Sequence, residues 1–232
     1  MLNKISMFFS KGAFFMILSA GSFCMMTVFV KLAGDSLPTI QIVFVRGLFT
    51  LLITGFFLLK AKINPLGKHK RLLTARGLSG TIALFLVYES IQRFPLSEAT
   101  VIQYLYPLFT AMIAAALISE TVDRNILIGL FAGFFGVYAI LGFPFLSNNY
   151  LHIESLAIAV CGSFLTGLAY VLVRKATSLN EHPLVVMFYF PFFTVPICLP
   201  FLFSVWEHPS LLEWCYLFFV GLFTQFGQLF LT

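Results

Sequence analysis

Residues 37–59 read LPTIQIVFVRGLFTLLITGFFLL, a run of 23 positions in which Arg46 is the only charge. About 20 predominantly apolar residues are needed for one helix to cross the hydrocarbon core of a bilayer. Similar uncharged gaps recur along the chain, and the longest has 29 residues, between Arg124 and Glu154. The sequence therefore predicts an integral membrane protein with several spans.

The composition of the 232 residues supports this prediction, because 60% are hydrophobic and 10% are charged. Soluble domains are about 45–50% apolar and about 25% charged. The apolar runs are continuous rather than alternating, which favours helices over the strands of a membrane barrel. We therefore expect an all-α membrane protein with about eight transmembrane helices. The predicted spans are 12–32, 37–59, 72–92, 97–118, 126–146, 153–173, 183–205 and 211–231.

The basic residues predict the orientation, because loops rich in Lys and Arg stay on the cytoplasmic side. With a cytoplasmic N-terminus, only Lys31 and Arg93 face outward, and Arg46 lies within the membrane. Eleven basic residues then face the cytoplasm: Lys4, Lys11, Lys60, Lys62, Lys68, Lys70, Arg71, Arg76, Arg124, Arg174 and Lys175. Eight spans return the C-terminus to the cytoplasm as well.

A weak internal repeat divides the chain at an offset of 141–145 residues. The echoes are Gly21-Ser22-Phe23 with Gly162-Ser163-Phe164, Pro38 with Pro183, and Gly77-Leu78 with Gly221-Leu222. An odd number of helices per repeat inverts the second copy, as in many secondary transporters. We expect a first five-helix repeat over 1–146 and a second, incomplete copy with three helices over 151–232.

Several motifs in this order resemble the EamA pattern of the drug/metabolite transporter superfamily. They are Arg46, Arg76-Gly77-Leu78, Tyr88-Glu89-Ser90, Ser97 through Phe109 with Pro107 inside the helix, Ser119-Glu120, the glycines 129, 133 and 136, and Gly227 through Thr232. The resemblance implies a ten-helix carrier of the inner membrane with both termini in the cytoplasm. This sequence ends just inside the motif of the eighth span, and we expect the second copy to lack the counterparts of spans 4 and 5.

Arg46 is the most informative residue, because a charge at the centre of a membrane helix costs about 2.5–3.5 kcal/mol on insertion scales. Thr39, Thr50 and Thr54 share its helical face. One hypothesis is that Arg46 anchors an anionic group of the solute by bidentate hydrogen bonds. The alternatives are a structural ion pair with Glu89 or snorkelling of the side chain. Two roles are open for Glu89 itself. It could couple transport to protons, or it could simply end its helix at the rim of the membrane.

Span 4 gives a second clue, because Pro107 cannot donate a hydrogen bond to the carbonyl of Gln103. A free carbonyl at this depth is tolerated where it lines a cavity. Two interpretations of Pro107 remain open, namely that this part of span 4 lines a pathway, or that the proline only kinks the helix for packing. The predicted pathway residues are Arg46, Thr50, Tyr88, Glu89, Gln103, Tyr104, Pro107, Gln225 and Gln228.

The sequence favours a secondary transporter that moves a small metabolite by alternating access. Arg46 favours an anionic or zwitterionic solute, and no ATP-binding motif is present. The four cysteines and four histidines form no ligand pattern, so we expect no metal, no cofactor and no enzyme. The basic loops are explained by membrane orientation, so we expect no nucleic acid as a partner. A homo-oligomer stays open, and the alternative function is a truncated, non-transporting remnant or a membrane assembly partner.

Overall fold

The computed structural model describes residues 11–118, 124–140 and 153–231. Glu120 and the predicted end of span 5, residues 141–146, lie outside the described residues. The helices, in chain order, are α1 Lys11–Ala33, α2 Thr39–Lys60, α3 Lys70–Arg93, α4 Leu96–Gln103, α5 Tyr106–Ile118, α6 Arg124–Ile140, α7 Ile153–Ser178, α8 Pro183–Val205 and α9 Leu211–Leu231. Each predicted span coincides with one helix or, for span 4, with α4 and α5 together.

The outside of the helix bundle is apolar, as expected for a surface that faces lipid. Leu52, Phe56, Phe131 and Phe203 are each more than half exposed. Within the described ranges, six segments are helical, long and apolar enough to cross a membrane, and α4 with α5 forms one of them. The predicted all-α membrane fold is confirmed.

The fourth span is broken into α4 and α5 by a turn at Tyr104 and Leu105. Pro107 lies just after this turn and has no N–H with which to continue the helical hydrogen bonds. The hydroxyl of Ser163 on α7 donates to the carbonyl of Ile102 at 2.9 Å. A side chain of the neighbouring helix therefore satisfies a backbone carbonyl beside the break.

Three helix pairs make the most extensive contacts, namely α1 with α9, α3 with α7, and α2 with α8. The second of these contacts extends to α5, where the backbone of α7 approaches closely. A Cβ on Gly167 would lie 2.9 Å from the amide nitrogen of Thr110 and 3.0 Å from the carbonyl oxygen of Tyr106. Only glycine allows this distance, because backbone atoms cannot move aside as a flexible side chain can.

The two ends of the bundle differ in charge. We call the end with residues 61–69 and 179–182 the basic end, since Lys60, Lys62, Lys68, Lys70, Arg71, Arg174 and Lys175 lie there. We call the end with residues 34–38, 94–95 and 206–210 the opposite end. Asp35, Glu89, Glu154, Glu207 and Glu213 lie there, with Lys31 and Arg93.

The apolar core is divided in the same direction. A large cluster, which includes Val30, Ile42 and Leu217, fills the bundle toward the opposite end. A smaller cluster around Leu58 and Leu73 lies at the basic end. The bundle is therefore packed most continuously in its opposite half.

Candidate functional site

A cavity of about 470 Å³ lies between α1, α2, α3, α4, α7, α8 and α9. Ligand pockets typically have volumes of about 300–1,000 Å³. Arg46 and Tyr88 line its deep part, and Thr177 and Pro183, both exposed, line it at the basic end. The cavity therefore runs from the middle of the bundle to the basic end.

Arg46 is buried in the wall of this cavity, with 6% of its surface exposed. Its Nε donates to the hydroxyl of Thr224 on α9 at 3.1 Å. Its Nη1 is buried and has no hydrogen-bond partner among the residues that the structure describes. The guanidinium carbon lies 5.4 Å from the ring centre of Tyr88 and 5.6 Å from that of Phe190. Aromatic rings attract the cation, but they leave its N–H donors available for an acceptor.

A second arginine, Arg76, lines the same cavity. Within the described part of the chain, its Nε and Nη1 are buried and lack hydrogen-bond partners. Its guanidinium carbon lies 5.4 Å from the ring centre of Phe190. From the sequence, Arg76 was counted among the basic residues that face the cytoplasm. Its position in the wall of the cavity was not predicted. The signal that could have revealed it is Gly80, four residues later on the same helical face, which leaves room for the guanidinium.

The ion pair with Glu89, one of the alternatives for Arg46, does not form between these two described residues. Glu89 instead accepts from Arg93 Nε at 2.9 Å and from the hydroxyl of Thr39 at 2.8 Å. It lies at the opposite end and does not line the cavity. The alternative that Arg46 forms a structural ion pair with Glu89 is therefore wrong. Arg93 lies one helical turn from Glu89 and forms the ion pair with its carboxylate instead.

The other predicted pathway residues divide into two groups. Gln103, Gln228 and Tyr88 line the cavity together with Arg46. Thr50, Pro107 and Gln225 are not among the residues that line it, and neither is Tyr104, which is 61% exposed on the outside of the bundle. Thr50 donates instead to the carbonyl of Arg46 at 3.0 Å. It therefore contacts the backbone beside the cavity rather than the cavity itself.

A comparison with known protein families gives a match. The model of the EamA-like transporter family matches residues 10–142, more than half of the chain. The chain belongs to the EamA-like transporter family. The pseudopaline exporter CntI of Pseudomonas aeruginosa (strain UCBPP-PA14) is 27% identical over 222 residues, which cover 95% of this chain and 77% of that protein. Human solute carrier family 35 member G1 is 28% identical over 95% of this chain and 64% of its own length.

A transporter of Helicobacter pylori (strain J99) is 24% identical over 95% of this chain and 76% of its own length. A known crystal structure, 14% identical, covers 93% of this chain and 78% of its own with a TM-score of 0.65, which supports the fold. The three named relatives from Pseudomonas, human and Helicobacter are transporters of the drug/metabolite superfamily rather than enzymes. This EamA-like protein is therefore a multi-pass membrane transporter, and the resemblance seen in the sequence is confirmed.

In this EamA-like transporter, polar contacts close the opposite end of the bundle. The ammonium group of Lys31 donates to the carbonyls of Ile91, Gln92 and Phe94 at 2.7, 3.1 and 3.1 Å. A cation at a helix C-terminus is favourable because the last carbonyls of the helix lack partners within the helix. Lys31 therefore ties α1 to the end of α3.

Gln41 makes a second tie at the opposite end, where its side chain is fully buried. Its amide group donates to the carbonyl of Glu207 at 2.8 Å and accepts from the amide of Glu207 at 3.0 Å. Neither role could be predicted from the sequence, because Lys31 and Gln41 both act through contacts with segments that are distant along the chain.

The basic end has its own tie around Glu181, which is buried between α7 and α8. Its carboxylate accepts from the backbone amides of Lys68 and His69 and from His69 Nδ1, the last at 3.0 Å. Burial by itself raises the pKa of Glu181, but these hydrogen bonds lower it, and the net pKa lies below the ordinary 4.5. Gly67, with φ +59°, allows the tight turn beside the carboxylate.

Glu181→Gln is expected to lower the free energy of unfolding by about 1.5–3 kcal/mol at pH 7, the usual range for hydrogen bonds to a charged group. A carboxyl whose pKa is depressed by folding contributes stability above its unfolded pKa, and loses it as pH falls through the folded pKa. Melting curves of the purified protein should therefore differ at pH 7 and converge below about pH 4.5. Glu207→Gln, at an exposed side chain, is the control. A difference that persists unchanged at low pH would contradict this role.

Proposed function

We propose that this transporter moves a small anionic solute through the cavity by alternating access between two inverted halves, residues 1–146 and 151–232. The helix packing supports such a division. If α7, α8 and α9 are the counterparts of α1, α2 and α3, exchange of the two halves turns the α1–α9 contact into the α3–α7 contact. The same exchange leaves the α2–α8 contact in place, as expected for a pseudo-two-fold axis between the halves.

The proposed orientation places the basic end in the cytoplasm and both termini with it, in the inner membrane. Lys and Arg are enriched in short cytoplasmic loops of membrane proteins. The basic end holds seven of them, from Lys60 to Lys175, against Lys31 and Arg93 at the opposite end. In this orientation the structure is open to the cytoplasm and closed to the outside.

Export is the direction that this state favours, because the solute would enter the cavity from the cytoplasm. The name of the Pseudomonas relative, a pseudopaline exporter, agrees with that direction. Reorientation would require the ties of Lys31 and Gln41 at the opposite end to break. Exchange, proton flow or the solute gradient would supply the energy.

The single observation that supports the anionic solute best is the unsatisfied Nη1 of Arg46 in the cavity wall. A buried guanidinium without an anionic partner is expensive, so an occupant that supplies one binds favourably. The deep wall also offers Gln103 Nε2, which is weakly held by the hydroxyl of Thr166 at 3.5 Å. These donors suit an acceptor-rich group such as a carboxylate or a phosphate.

The test is flux from vesicles that contain the purified protein and are loaded with a small-molecule extract of the cell. Mass spectrometry of the released compounds should identify an anionic metabolite that leaves vesicles with the wild-type protein faster than protein-free vesicles. Identical release from both vesicle types would contradict transport and favour the non-transporting alternative. Release confined to neutral or cationic compounds would contradict the anionic solute.

A further inference from the structure

Two arginines contact one aromatic ring in the wall of the cavity. The guanidinium carbons of Arg46 and Arg76 lie 5.6 and 5.4 Å from the ring centre of Phe190. The separation of the two cations therefore cannot exceed the sum of these two distances. Arg46 is on α2, Arg76 on α3 and Phe190 on α8, so three helices bring the charges to one place.

The described residues do not balance the positive charge of this site. Among the described residues, no Asp or Glu lines the cavity. The buried Nη1 atoms of both arginines and the Nε of Arg76 lack acceptors in the same part of the chain. Two like charges repel strongly where the effective dielectric constant is low. A single negative charge in the cavity would leave one of the two guanidinium groups uncompensated.

We propose that the cavity binds a solute with two negative charges, one held by Arg46 and the other by Arg76. This inference rests on the proposed function in one respect, namely that the solute binds in this cavity. Two carboxylates at the ends of one molecule fit this arrangement, and so does a phosphate monoester with two charges on one group. Arg suits both, because its planar fork can donate two parallel hydrogen bonds to either anion.

The apolar part of the cavity wall favours an apolar body in the solute. The side chains of Met26, Ala83, Val87 and Met187 line the same cavity as Phe190 and the two arginines. Such side chains offer contact area and no hydrogen bonds. The preferred occupant is therefore a small dianion that also carries a hydrocarbon or aromatic part.

Gly80 positions Arg76 for this role. A Cβ at Gly80 would lie 2.1 Å from Arg76 Nη1 and 2.9 Å from a ring carbon of Phe190. Gly80→Ala must therefore displace the guanidinium while keeping its charge on the chain. Gly21→Ala is the matched control, because a Cβ at Gly21 has no neighbour within 4 Å.

The experiment measures binding to the full, purified chain by titration calorimetry, and it needs no transport. The probes are dicarboxylates of three to eight carbons, monocarboxylates of the same lengths, and methyl phosphate. The best dianion is expected to bind about 10- to 100-fold more tightly than the best monocarboxylate, the usual effect of hydrogen bonds to a charged group. A dicarboxylate as the best ligand indicates two separate charges, and methyl phosphate indicates one doubly charged group.

The variants separate the two cations. Arg76→Gln and Gly80→Ala should remove the preference for the dianion and keep monocarboxylate binding, whereas Arg71→Gln, an exposed arginine on the same helix, should change neither. Equal binding of monoanions and dianions by the wild type, or no binding of either at millimolar concentration, would overturn the inference. So would a dianion preference that survives Arg76→Gln in a protein with a normal melting curve.

This outcome is distinguishable from failure of the proposed function. If the wild type prefers dianions but vesicles show no flux, the transport proposal is wrong and the two-charge site stands. If vesicles export a monoanion at a rate that Arg76→Gln leaves unchanged, transport stands and the two-charge site is wrong.

Discussion

Replacing Arg46 by glutamine is expected to abolish anion flux while leaving the inserted protein as abundant and at least as heat-stable as the wild type. The flux should fall by about 10- to 100-fold, since hydrogen bonds from a charged donor to the solute are lost. Glutamine retains an amide that can donate to Thr224, the partner of Arg46 Nε. Removal of a buried charge that has no anionic partner relieves a desolvation cost rather than creating one.

This combination separates a functional arginine from a structural one. An arginine that held the fold together would lower abundance and the melting temperature when removed. Arg46→Lys should keep the charge and lose the planar fork, so it should restore flux only in part. Arg71→Gln is the matched control, because it removes the same charge from an exposed position and should leave flux unchanged.

Glu89→Gln completes the comparison. Glu89 forms its ion pair with Arg93 and accepts a hydrogen bond from Thr39. Adding Glu89→Gln to Arg46→Gln should therefore change neither the flux nor the abundance of the Arg46→Gln protein. Normal flux in Arg46→Gln vesicles would contradict the anion-anchor role. Recovery of abundance in the double variant would restore the ion-pair alternative that the structure argues against.

Much of the fold could be predicted because membrane helices are specified locally. A run such as 183–205 is apolar throughout, and the described α8 has the same bounds, Pro183–Val205. Pro107 likewise predicted an interruption of span 4, since a missing N–H acts wherever the helix packs. Arg46 was informative for the same reason, because the cost of its charge depends on depth alone.

The cavity itself could not be predicted, since it depends on which faces of distant helices meet. Arg76 lies six residues after Lys70, about 9 Å along the helix, and in sequence it resembles another loop charge. Its burial follows from Gly80 on its own helix and Phe190 on α8. Tyr104 shows the converse, because it was predicted to line the pathway but lies at the turn between α4 and α5, where it is exposed on the outside of the bundle.

The alternative that paired Arg46 with Glu89 was wrong for an instructive reason. Helix rise gives the depth of each residue but not the direction of its side chain. Glu89 had a competitor four residues later, Arg93, on the same helical face. The local pair formed at 2.9 Å, and the more distant arginine kept its donors for the cavity.

Chemical modification of a cysteine introduced in place of Thr166 tests most directly whether the cavity is a positively charged pathway open to the cytoplasm. Thr166 lines the cavity on α7, close to Gln103. The native cysteines, Cys24, Cys161, Cys198 and Cys215, do not line it and can be replaced by serine or alanine. Thr166→Cys in this background then provides one reactive thiol in the wall of the cavity that both arginines line.

The measurement compares the rates at which a sulfonate-bearing and a trimethylammonium-bearing methanethiosulfonate modify this cysteine, in sealed vesicles of either orientation. We expect modification from the cytoplasmic face, with the anionic reagent at least about tenfold faster than the cationic one because two uncompensated cations attract it. Replacing both Arg46 and Arg76 by glutamine should remove the difference between the reagents. Modification from the external face alone, equal rates for the two reagents, or faster reaction of the cation would contradict a cytoplasm-facing anion pathway.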